Sequence, residues 1–243
     1  MTIFGKTDVG KVRLSNQDAF AYTELGGGNY CAVVCDGMGG HVGGNIASEL
    51  AIAAFQKQIS LAEEASFKDR NIESMLESCI LRANEAVFSR SITEPSLRGM
   101  GTTIVTVFSY EGRCYVAHVG DSRAYYFNGD TIVRLTKDHS VVQEMVDKGE
   151  ISEEEALHHP YKHVITRVLG IDSEVSVEIS PVEIQPQGKI LLCSDGLSNM
   201  LSDSELAEFL KLDVGTPELC DILVNAANDR GGHDNITVVI VSL

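Results

Sequence analysis

The chain has 243 residues, and its 35 acidic and 19 basic side chains give it a formal charge of −16. Hydrophobic residues make up 44% of the chain and charged residues 22%, which argues against disorder and is typical of one large or two small globular domains. The negative charge argues against sequence-independent binding to nucleic acid and against binding to anionic membranes, since both require clustered Lys and Arg.

The sequence predicts a cytoplasmic protein. Its first ten residues lack the apolar run of a signal peptide, and no stretch reaches the roughly 18–20 apolar residues that a membrane span needs. The six cysteines lie mostly in apolar runs without a Cys-x-x-Cys pair, which predicts buried reduced thiols and argues against a zinc site. They are Cys31, Cys35, Cys79, Cys114, Cys193 and Cys220.

Taken in chain order, the predicted elements come in blocks of strands separated by helices. Strands are predicted at 19–25 and 30–35, helices at 44–59 and 69–90, strands at 102–109, 113–119, 123–127, 131–135, 175–183 and 188–194, a helix at 217–229 and a strand at 236–242. Tight turns at Glu111-Gly112 and Asn128-Gly129 require antiparallel pairing of the strands they join. The block arrangement favours an α+β fold, and strands that are apolar on both faces predict burial between layers.

The segment 138–170 does not fit this pattern of strands. It carries many charges, Pro160 and two short helical patterns, one of them at 140–148. An insertion of this kind among strands predicts a mobile surface subdomain.

Aspartates stand at the ends of apolar strands. Asp36, Asp121 and Asp195 each follow such a run, and Asp234 precedes the run at 236–240. One Asp-Gly pair after a strand is usually only a turn. If the four ends converge, however, the carboxylates would repel each other and need a compensating charge. Mg²⁺ or Mn²⁺ with oxygen ligands would supply it, which indicates metal-assisted chemistry at phosphorus.

The glycine-rich segment 36–44 joins the end of one strand to the helix at 44–59. It is not a Walker loop, because no Gly-Lys-Ser/Thr follows, and Val42 breaks a G-x-G-x-x-G pattern. We expect its glycines to let the chain turn tightly and to let backbone carbonyls approach a cation.

Seven motifs in a fixed order carry a resemblance to a known family. They are Gly10-x-x-Arg13-x-x-Asn16-Gln17-Asp18, Asp36-Gly37-Met38-Gly39-Gly40-His41, Gly99-x-Gly101-Thr102-Thr103, His118-Val119-Gly120-Asp121-Ser122-Arg123-Ala124-Tyr125, Leu135-Thr136-x-Asp138-His139-Ser140, Cys193-Ser194-Asp195-Gly196-Leu197 and Asp234-Asn235-Ile236-Thr237. With these motifs the chain resembles, over essentially its whole length, the bacterial form of the metal-dependent, type-2C Ser/Thr protein phosphatase family.

The resemblance implies a single catalytic domain over 1–243 with a four-layer αββα sandwich, in which two mainly antiparallel sheets are flanked by helices. It implies that 138–170 is a flap beside the substrate groove. It also implies two Mn²⁺ or Mg²⁺ ions and a weaker third. The implied roles are bridging of two metals for Asp36, a carbonyl ligand for Gly37, ligands of the other metal for Asp195 and Asp234, a contact through water for Asp18, a third-metal ligand for Asp121 and a substrate-phosphate clamp for Arg13.

Two residues depart from the pattern of some relatives. Gln17 stands where some members have Glu, and Met38 stands where some have a His proposed as general acid. Met38 cannot donate a proton, and the acid role is not transferred to His41. Ser122, Ser194 and Thr237 flank the aspartates without a His–Asp relay, so a covalent serine mechanism is not expected.

The implied activity is hydrolysis of phosphoserine and phosphothreonine on proteins by a water that two metals activate. The implied partners are phosphorylated proteins made by a Ser/Thr kinase, in signalling, with no nucleic acid or membrane, and we expect a monomer. Two alternatives remain open at this point. The enzyme could serve one dedicated phosphoserine protein in a partner-switching pathway, or the chain could be an inactive phosphoprotein scaffold, which the presence of Asp36, Asp195 and Asp234 disfavours.

Overall fold

The protein is described by a computed structural model that covers residues 1–67 and 71–243. Its strands are β1 (Thr2–Asp8), β2 (Asp18–Glu24), β3 (Tyr30–Met38), β4 (Gly101–Thr102), β5 (Ile104–Tyr110), β6 (Arg113–Val119), β7 (Arg123–Phe127), β8 (Ile132–Arg134), β9 (Glu178–Val182), β10 (Lys189–Cys193) and β11 (Ile236–Ser242). Its helices are α1 (Gly40–Glu64), α2 (Ile72–Thr93), α3 (Val141–Asp147), α4 (Glu153–His158), α5 (Asp195–Ser198), α6 (Asp203–Leu210) and α7 (Thr216–Asp229), with a 3-10 turn at Pro95–Leu97.

The strands form two antiparallel sheets. The first has the order β1-β11-β10-β7-β8, and the second has the order β2-β3-β5-β6-β9, with β4 pairing beside the end of β3. The predicted turns at Glu111-Gly112 and Asn128-Gly129 join the antiparallel pairs β5–β6 and β7–β8. Positive φ angles at Glu111 and Gly112 match a two-residue hairpin turn.

Apolar side chains fill three interfaces between four layers. Between the sheets, β3 contributes Val34, β10 contributes Leu192 and β11 contributes Val239. Helices α1 and α2 cover the second sheet, and α6 and α7 cover the first. Strands that are buried on both faces therefore read as continuous apolar runs in the sequence. The predicted α+β, αββα architecture is confirmed.

Some elements differ from the sequence-based expectations. Strand β1 was not predicted, because Lys6, Thr7 and Gly5 break the apolar alternation of an edge strand; at Gly5 a Cβ would lie 2.4 Å from the Phe20 ring. Helix α6 was also not predicted, since it has eight residues and its start depends on a capping box at Ser202. The first residues of the helix predicted at 69–90 lie outside the described residues.

Helix α1 begins at Gly40 rather than at residue 44, so the expected glycine loop is wrong. Strand β3 continues to Met38, and only Gly39 separates it from the helix. The glycines of the first helical turns serve close packing. At Gly43 a Cβ would lie 3.0 Å from Met100 Cβ, and at Gly44 it would lie 2.7 Å from the Gln17 amide.

The segment 138–170 contains α3 and α4, and its last residues form backbone hydrogen bonds with its first residues. The Val141 amide donates to the Val164 carbonyl at 2.9 Å, and Leu169 exchanges two backbone hydrogen bonds with Thr102. Both helices begin at capping serines, Ser140 and Ser152. Of the side chains in α3 and α4, only that of Val142 is buried. The segment is thus held to the rest of the protein mainly at its two ends.

The six cysteines are buried and form no disulfide, as predicted. Burial raises the pKa of the Cys31 and Cys193 thiols to about 12, so they stay protonated at neutral pH. Within the described ranges, the helices include none with the length and apolarity required to cross a membrane.

Candidate metal centre

The predicted aspartates meet at one end of the sandwich. Asp18 at the start of β2 lies opposite Asp36 near the end of β3. The start of β11, next to Asp234, lies beside the end of β10, which runs into Asp195. The Ser194 hydroxyl donates to Asp18 Oδ2 at 2.6 Å and thereby joins the two sheets. The antiparallel register brings these strand ends to the same edge.

Asp36 lies at the centre of the cluster. Burial raises the pKa of its carboxyl group well above the ordinary value, and the negative charges of its neighbours raise it further. Those neighbours are Asp18, Asp195, Asp121 and Asp234. The structure therefore brings together all five aspartates that were predicted as site residues.

Three of these neighbours respond in the same direction. Burial, together with nearby carboxylates, raises the pKa of Asp18 and of Asp121 to about 7. Burial and the charge of Asp234 raise the pKa of Asp195 as well. Such a cluster is unstable when ionised unless a cation compensates it.

Two buried carboxylate oxygens point to what would compensate it. Asp18 Oδ1 and Asp195 Oδ1 have no hydrogen-bond partner, although the second oxygens accept from Ser194 and Asn199. Buried polar atoms without partners are costly. Free carboxylate oxygens in an all-aspartate cluster fit a hard divalent cation such as Mn²⁺ or Mg²⁺.

The backbone of Asp36 is fixed by the neighbouring threonines. The Thr103 amide and the Thr102 hydroxyl both donate to the Asp36 carbonyl at 2.8 Å, and the Asp36 amide donates to Thr103 Oγ1 at 3.0 Å. The Thr103 hydroxyl also contacts the Ser122 hydroxyl at 2.7 Å. The motif Gly99–Thr103 thus positions Asp36 through hydrogen bonds to its main chain.

Gly37 has no room for a side chain. A Cβ there would lie 2.0 Å from the Gly44 carbonyl oxygen and 2.6 Å from that of Gln17. The Gln17 side chain donates to the Gly40 carbonyl at 2.6 Å, so its amide is engaged with the start of α1. The strand end, the helix start and the loop before β2 therefore meet at Gly37.

Arg13 lies beside the cluster on the loop before β2. Its Nη2 donates to Asp234 Oδ2 at 2.6 Å, while about half of the side chain (53%) stays exposed. That hydrogen bond raises the pKa of Arg13, and the charges of Asp234, Asp36 and Asp195 act in the same direction. The guanidinium is permanently charged and borders both the aspartates and solvent.

Asn235 holds the Arg13 loop in place. Its Nδ2 donates to the carbonyls of Val9 and Ser15 at 2.9 and 3.0 Å. Its Oδ1 accepts a hydrogen bond from the backbone N–H of Gln17 at 2.8 Å. The sequence analysis did not assign this role to Asn235 or the Asp18 contact to Ser194. The available signal was their position next to Asp234 and Asp195, because their partners are more than 170 residues away.

The raised pKa values give a prediction about stability. Folded-state values of about 7 for Asp18 and Asp121 exceed the unfolded value of about 3.9. The stability that protonation contributes is complete below about pH 4 and is lost as the pH rises through about 7. We expect Mn²⁺ to raise the Tm more at about pH 8 than at about pH 5, because metal replaces the lost protons.

Differential scanning fluorimetry of chelated and Mn²⁺-loaded protein measures this difference. Asp121→Asn removes one of the titrating groups and should flatten the pH dependence of the metal-free protein. Equal increases in Tm at both pH values would show that these carboxyl groups do not couple to metal.

Comparisons with known proteins extend over nearly the whole chain. A family model described as Protein phosphatase 2C matches residues 10–229. The serine/threonine phosphatase stp of Listeria innocua is 38% identical over 242 residues, which cover 97% of this chain and 93% of the relative. A bacterial serine phosphatase crystal structure, 31% identical, has a TM-score of 0.92 over 100% of this chain and 97% of its own. The catalytic domain of the serine/threonine protein phosphatase PstP, crystallised with two manganese ions, is 32% identical and has a TM-score of 0.85 over 99% and 97% of the two chains.

Proposed function

The chain belongs to the protein phosphatase 2C family, and we propose that it is a metal-dependent protein serine/threonine phosphatase. The observation that carries this proposal is the five-aspartate cluster around Asp36, with buried unpartnered oxygens on Asp18 and Asp195 and an exposed guanidinium beside it. Its substrates would be phosphoserine and phosphothreonine monoesters on proteins. The relatives carry the same function in their names.

The residues suit two cations and a weaker third. Asp36 would bridge two ions, with the Gly37 carbonyl on one of them and with Asp195 and Asp234 on the other. Asp18 would contact a metal through water, and Asp121 with Asp195 would hold the third ion. Bound there, Mn²⁺ or Mg²⁺ would lower the pKa of a water molecule and neutralise charge on the transferring phosphoryl group.

Arg13 would bind the substrate phosphate. A guanidinium can grip two phosphate oxygens and stays protonated at every relevant pH. Its present partner, Asp234, is itself a proposed metal ligand, so a cation on Asp234 would weaken the ion pair and release Arg13 toward the phosphate. Asn235 would keep the loop of Arg13 aligned in both states.

Ser194 is a positioning residue in this proposal. Its hydroxyl donates a hydrogen bond to Asp18 and accepts one from the Thr237 backbone amide at 3.0 Å. The hydroxyl is therefore engaged both as donor and as acceptor by residues of the site. Met38 has no proton to donate. Because the Ser194 hydroxyl is engaged, the attacking group would be water, and no covalent phosphoenzyme is proposed.

The segment 138–170 would act as a flap at the edge of the substrate groove. His163 in this segment lies near the aspartate cluster, because it acts on the pKa of Asp195. It lowers that pKa, whereas burial, the largest cause, raises it. A segment held mainly at its ends beside the cluster can adapt to a protein substrate more readily than the sheets can. The single domain over 1–243 would thus contain both the metal centre and the flap.

The proposed partners are phosphoproteins made by a Ser/Thr kinase. We propose that the enzyme acts as a monomer in the cytoplasm, where its six buried thiols would stay reduced. Service of one dedicated phosphoserine protein is the second candidate, which differs in substrate range and not in chemistry. An inactive scaffold is disfavoured by the intact aspartate cluster.

Phosphate release from phosphothreonine peptides tests the proposal. We expect activity with Mn²⁺ at least equal to that with Mg²⁺, and background rates in EDTA, because all of the proposed ligand atoms are oxygens. Several unrelated phosphopeptides and phosphoproteins should be assayed in parallel. Undiminished activity after exhaustive chelation, or a requirement for zinc, would contradict the proposal. Activity on one phosphoprotein alone would favour the second candidate.

A further inference from the structure

A second polar cluster lies between the start of the flap and the proposed third-metal ligand. It contains His118 on β6, His139 just before α3, and Glu178 at the start of β9. The two histidine rings stack with their centroids 4.5 Å apart, and both are buried. None of these residues belongs to the aspartate cluster.

His139 makes two hydrogen bonds to the residue that precedes Asp121. Its backbone amide donates to the Gly120 carbonyl at 3.0 Å, and the Gly120 amide donates to His139 Nδ1 at 3.1 Å. Gly120 has a φ of 111°, and a Cβ there would lie 2.6 Å from Thr103 Cγ2. The chain at Gly120 therefore adopts a conformation suited to glycine and is held from both of its polar groups by one histidine.

The Gly120 contact fixes the tautomer of His139. A backbone amide can only donate, so Nδ1 carries no proton, and the proton of the neutral ring lies on Nε2. This Nε2 donates to Glu178 Oε2 at 3.0 Å. Burial, with the nearby charges of His118 and Arg167, lowers the pKa of His139 to about 4 and keeps the ring neutral.

The cluster is better suited to positioning than to metal binding. The Nε2 atoms that would bind a cation already face carbonyl or carboxylate oxygens, that of His118 facing the Lys137 carbonyl at 2.8 Å. Arg167 Nη1 lies 3.1 Å from His139 Nε2, where its charge would oppose a bound cation.

His139 also contacts the returning arm of the flap. The Thr166 amide donates to the His139 carbonyl at 2.8 Å, and the neighbouring Arg167 approaches the ring. On the other side of the ring, Glu178 is on an edge strand of the second sheet. One residue therefore links the flap, the edge of the sheet and the loop that leads to Asp121.

We propose that His139 is a positioning residue that holds the Gly120–Asp121 main chain for the weak third cation and couples this site to the flap. This inference rests on the proposed function, since it gives Asp121 a cation to bind. It assigns no proton transfer to His139. The essential feature is a neutral acceptor at Nδ1 beneath the Gly120 amide.

Three substitutions separate the two ends of the ring. His139→Asn places an amide oxygen near the former Nδ1 and loses the contact with Glu178. His139→Gln reaches toward Glu178 but offers no acceptor at the Nδ1 position, and His139→Phe keeps the stacked ring while removing both polar atoms. Arg113→Gln, an exposed change at the start of β6 and outside the flap, is the control.

Two measurements report on the full-length protein. Calorimetric titration with Mn²⁺ resolves the weak site from the tight ones, and hydrogen exchange follows the amides around Gly120. We expect His139→Gln and His139→Phe to weaken Mn²⁺ binding at the weak site about tenfold and to speed exchange of the Gly120 amide, because this buried amide loses its acceptor. His139→Asn should stay within about threefold of wild type in Mn²⁺ affinity. The tight sites should change little in all three.

Kinetics add a readout of the coupling to the flap. The ratio of kcat/KM for a phosphopeptide to kcat/KM for an aryl phosphate should fall in the His139→Gln and His139→Phe variants. It should change less in the His139→Asn variant. Should the Phe variant not fold, the Asn and Gln variants carry the same comparison. Equal effects of His139→Asn and His139→Gln on Mn²⁺ binding at the weak site would overturn the proposal. An unchanged Mn²⁺ affinity of that site in His139→Gln would overturn it as well. Absence of wild-type activity with Mn²⁺ would instead overturn the proposed function, which leaves the exchange result at Gly120 as a separate outcome.

Discussion

Replacement of Asp36 by Asn is expected to lower kcat by about 10²-fold or more, because it removes charge from the proposed bridging ligand. Asp36 is the residue around which the other four aspartates gather, and its main chain is fixed by Thr102 and Thr103. Asparagine has nearly the same shape, so the site should keep its form. The loss would therefore report the charge rather than a cavity.

A stability measurement separates this effect from damage to the fold. The buried Asp36 carboxylate lies among like charges, so in metal-free protein the Asn variant should be at least as stable as the wild type near pH 8. In the presence of Mn²⁺ it should gain less stability than the wild type does. Asp130→Asn, a change of the same chemistry in the exposed β7–β8 turn, is the control. A kcat within a few-fold of wild type would remove Asp36 from the metal centre.

The aspartates could be predicted from the sequence because each interrupts an apolar strand at its end. Strands such as β3 and β10 are buried on both faces, and a carboxylate at the end of such a run has a local signal. The strand pattern alone did not predict their convergence, because Asp36 and Asp195 lie at the ends of strands in different sheets, β3 and β10. The family motifs added individual roles that the pattern alone does not give.

The residues that hold these aspartates were less accessible to sequence analysis. Ser194 and Asn235 contact groups more than 170 residues away along the chain, and His139 contacts Gly120 at a separation of 19 residues. Residue type carries no sign of such a partner. His118, His139 and Glu178 likewise have no metal-like or relay-like spacing, so only the fold brings them together. Periodicity predicts which face of an element is buried, but not which polar groups meet across two sheets.

The start of α1 shows a similar limit. Gly39, Gly40, Gly43 and Gly44 predicted an irregular loop, since glycine weakens helices. Tertiary contacts override that preference, because Gly43 and Gly44 let the helix approach Met100 and Gln17 closely. The helix therefore begins close to Gly37. The glycines that predicted a loop instead allow close packing between the end of β3, the start of α1 and the chain before β2.

Replacement of Arg13 by Ala is expected to lower kcat/KM for phosphopeptides by about 10²-fold, mainly through KM, because two charge-assisted hydrogen bonds to phosphate are lost. Tight metal binding should be largely retained, since Arg13 lies beside the aspartates and supplies no ligand atom. Its loss also frees Asp234 from a competing cation. Mn²⁺ affinity at the tight sites should therefore stay equal to that of the wild type or increase slightly.

Arg13→Lys provides the matched comparison, because lysine keeps the charge without the planar fork that holds two phosphate oxygens. The kcat/KM of Arg13→Lys should lie between that of the wild type and that of Arg13→Ala. Steady-state kinetics with phosphopeptides, together with Mn²⁺ calorimetry on the same preparations, measures both quantities. A reduced metal affinity with unchanged KM would show that the ion pair with Asp234 is the main role of Arg13. In that case the loop held by Asn235 would shape the metal centre, and the phosphate would have to be bound by other groups.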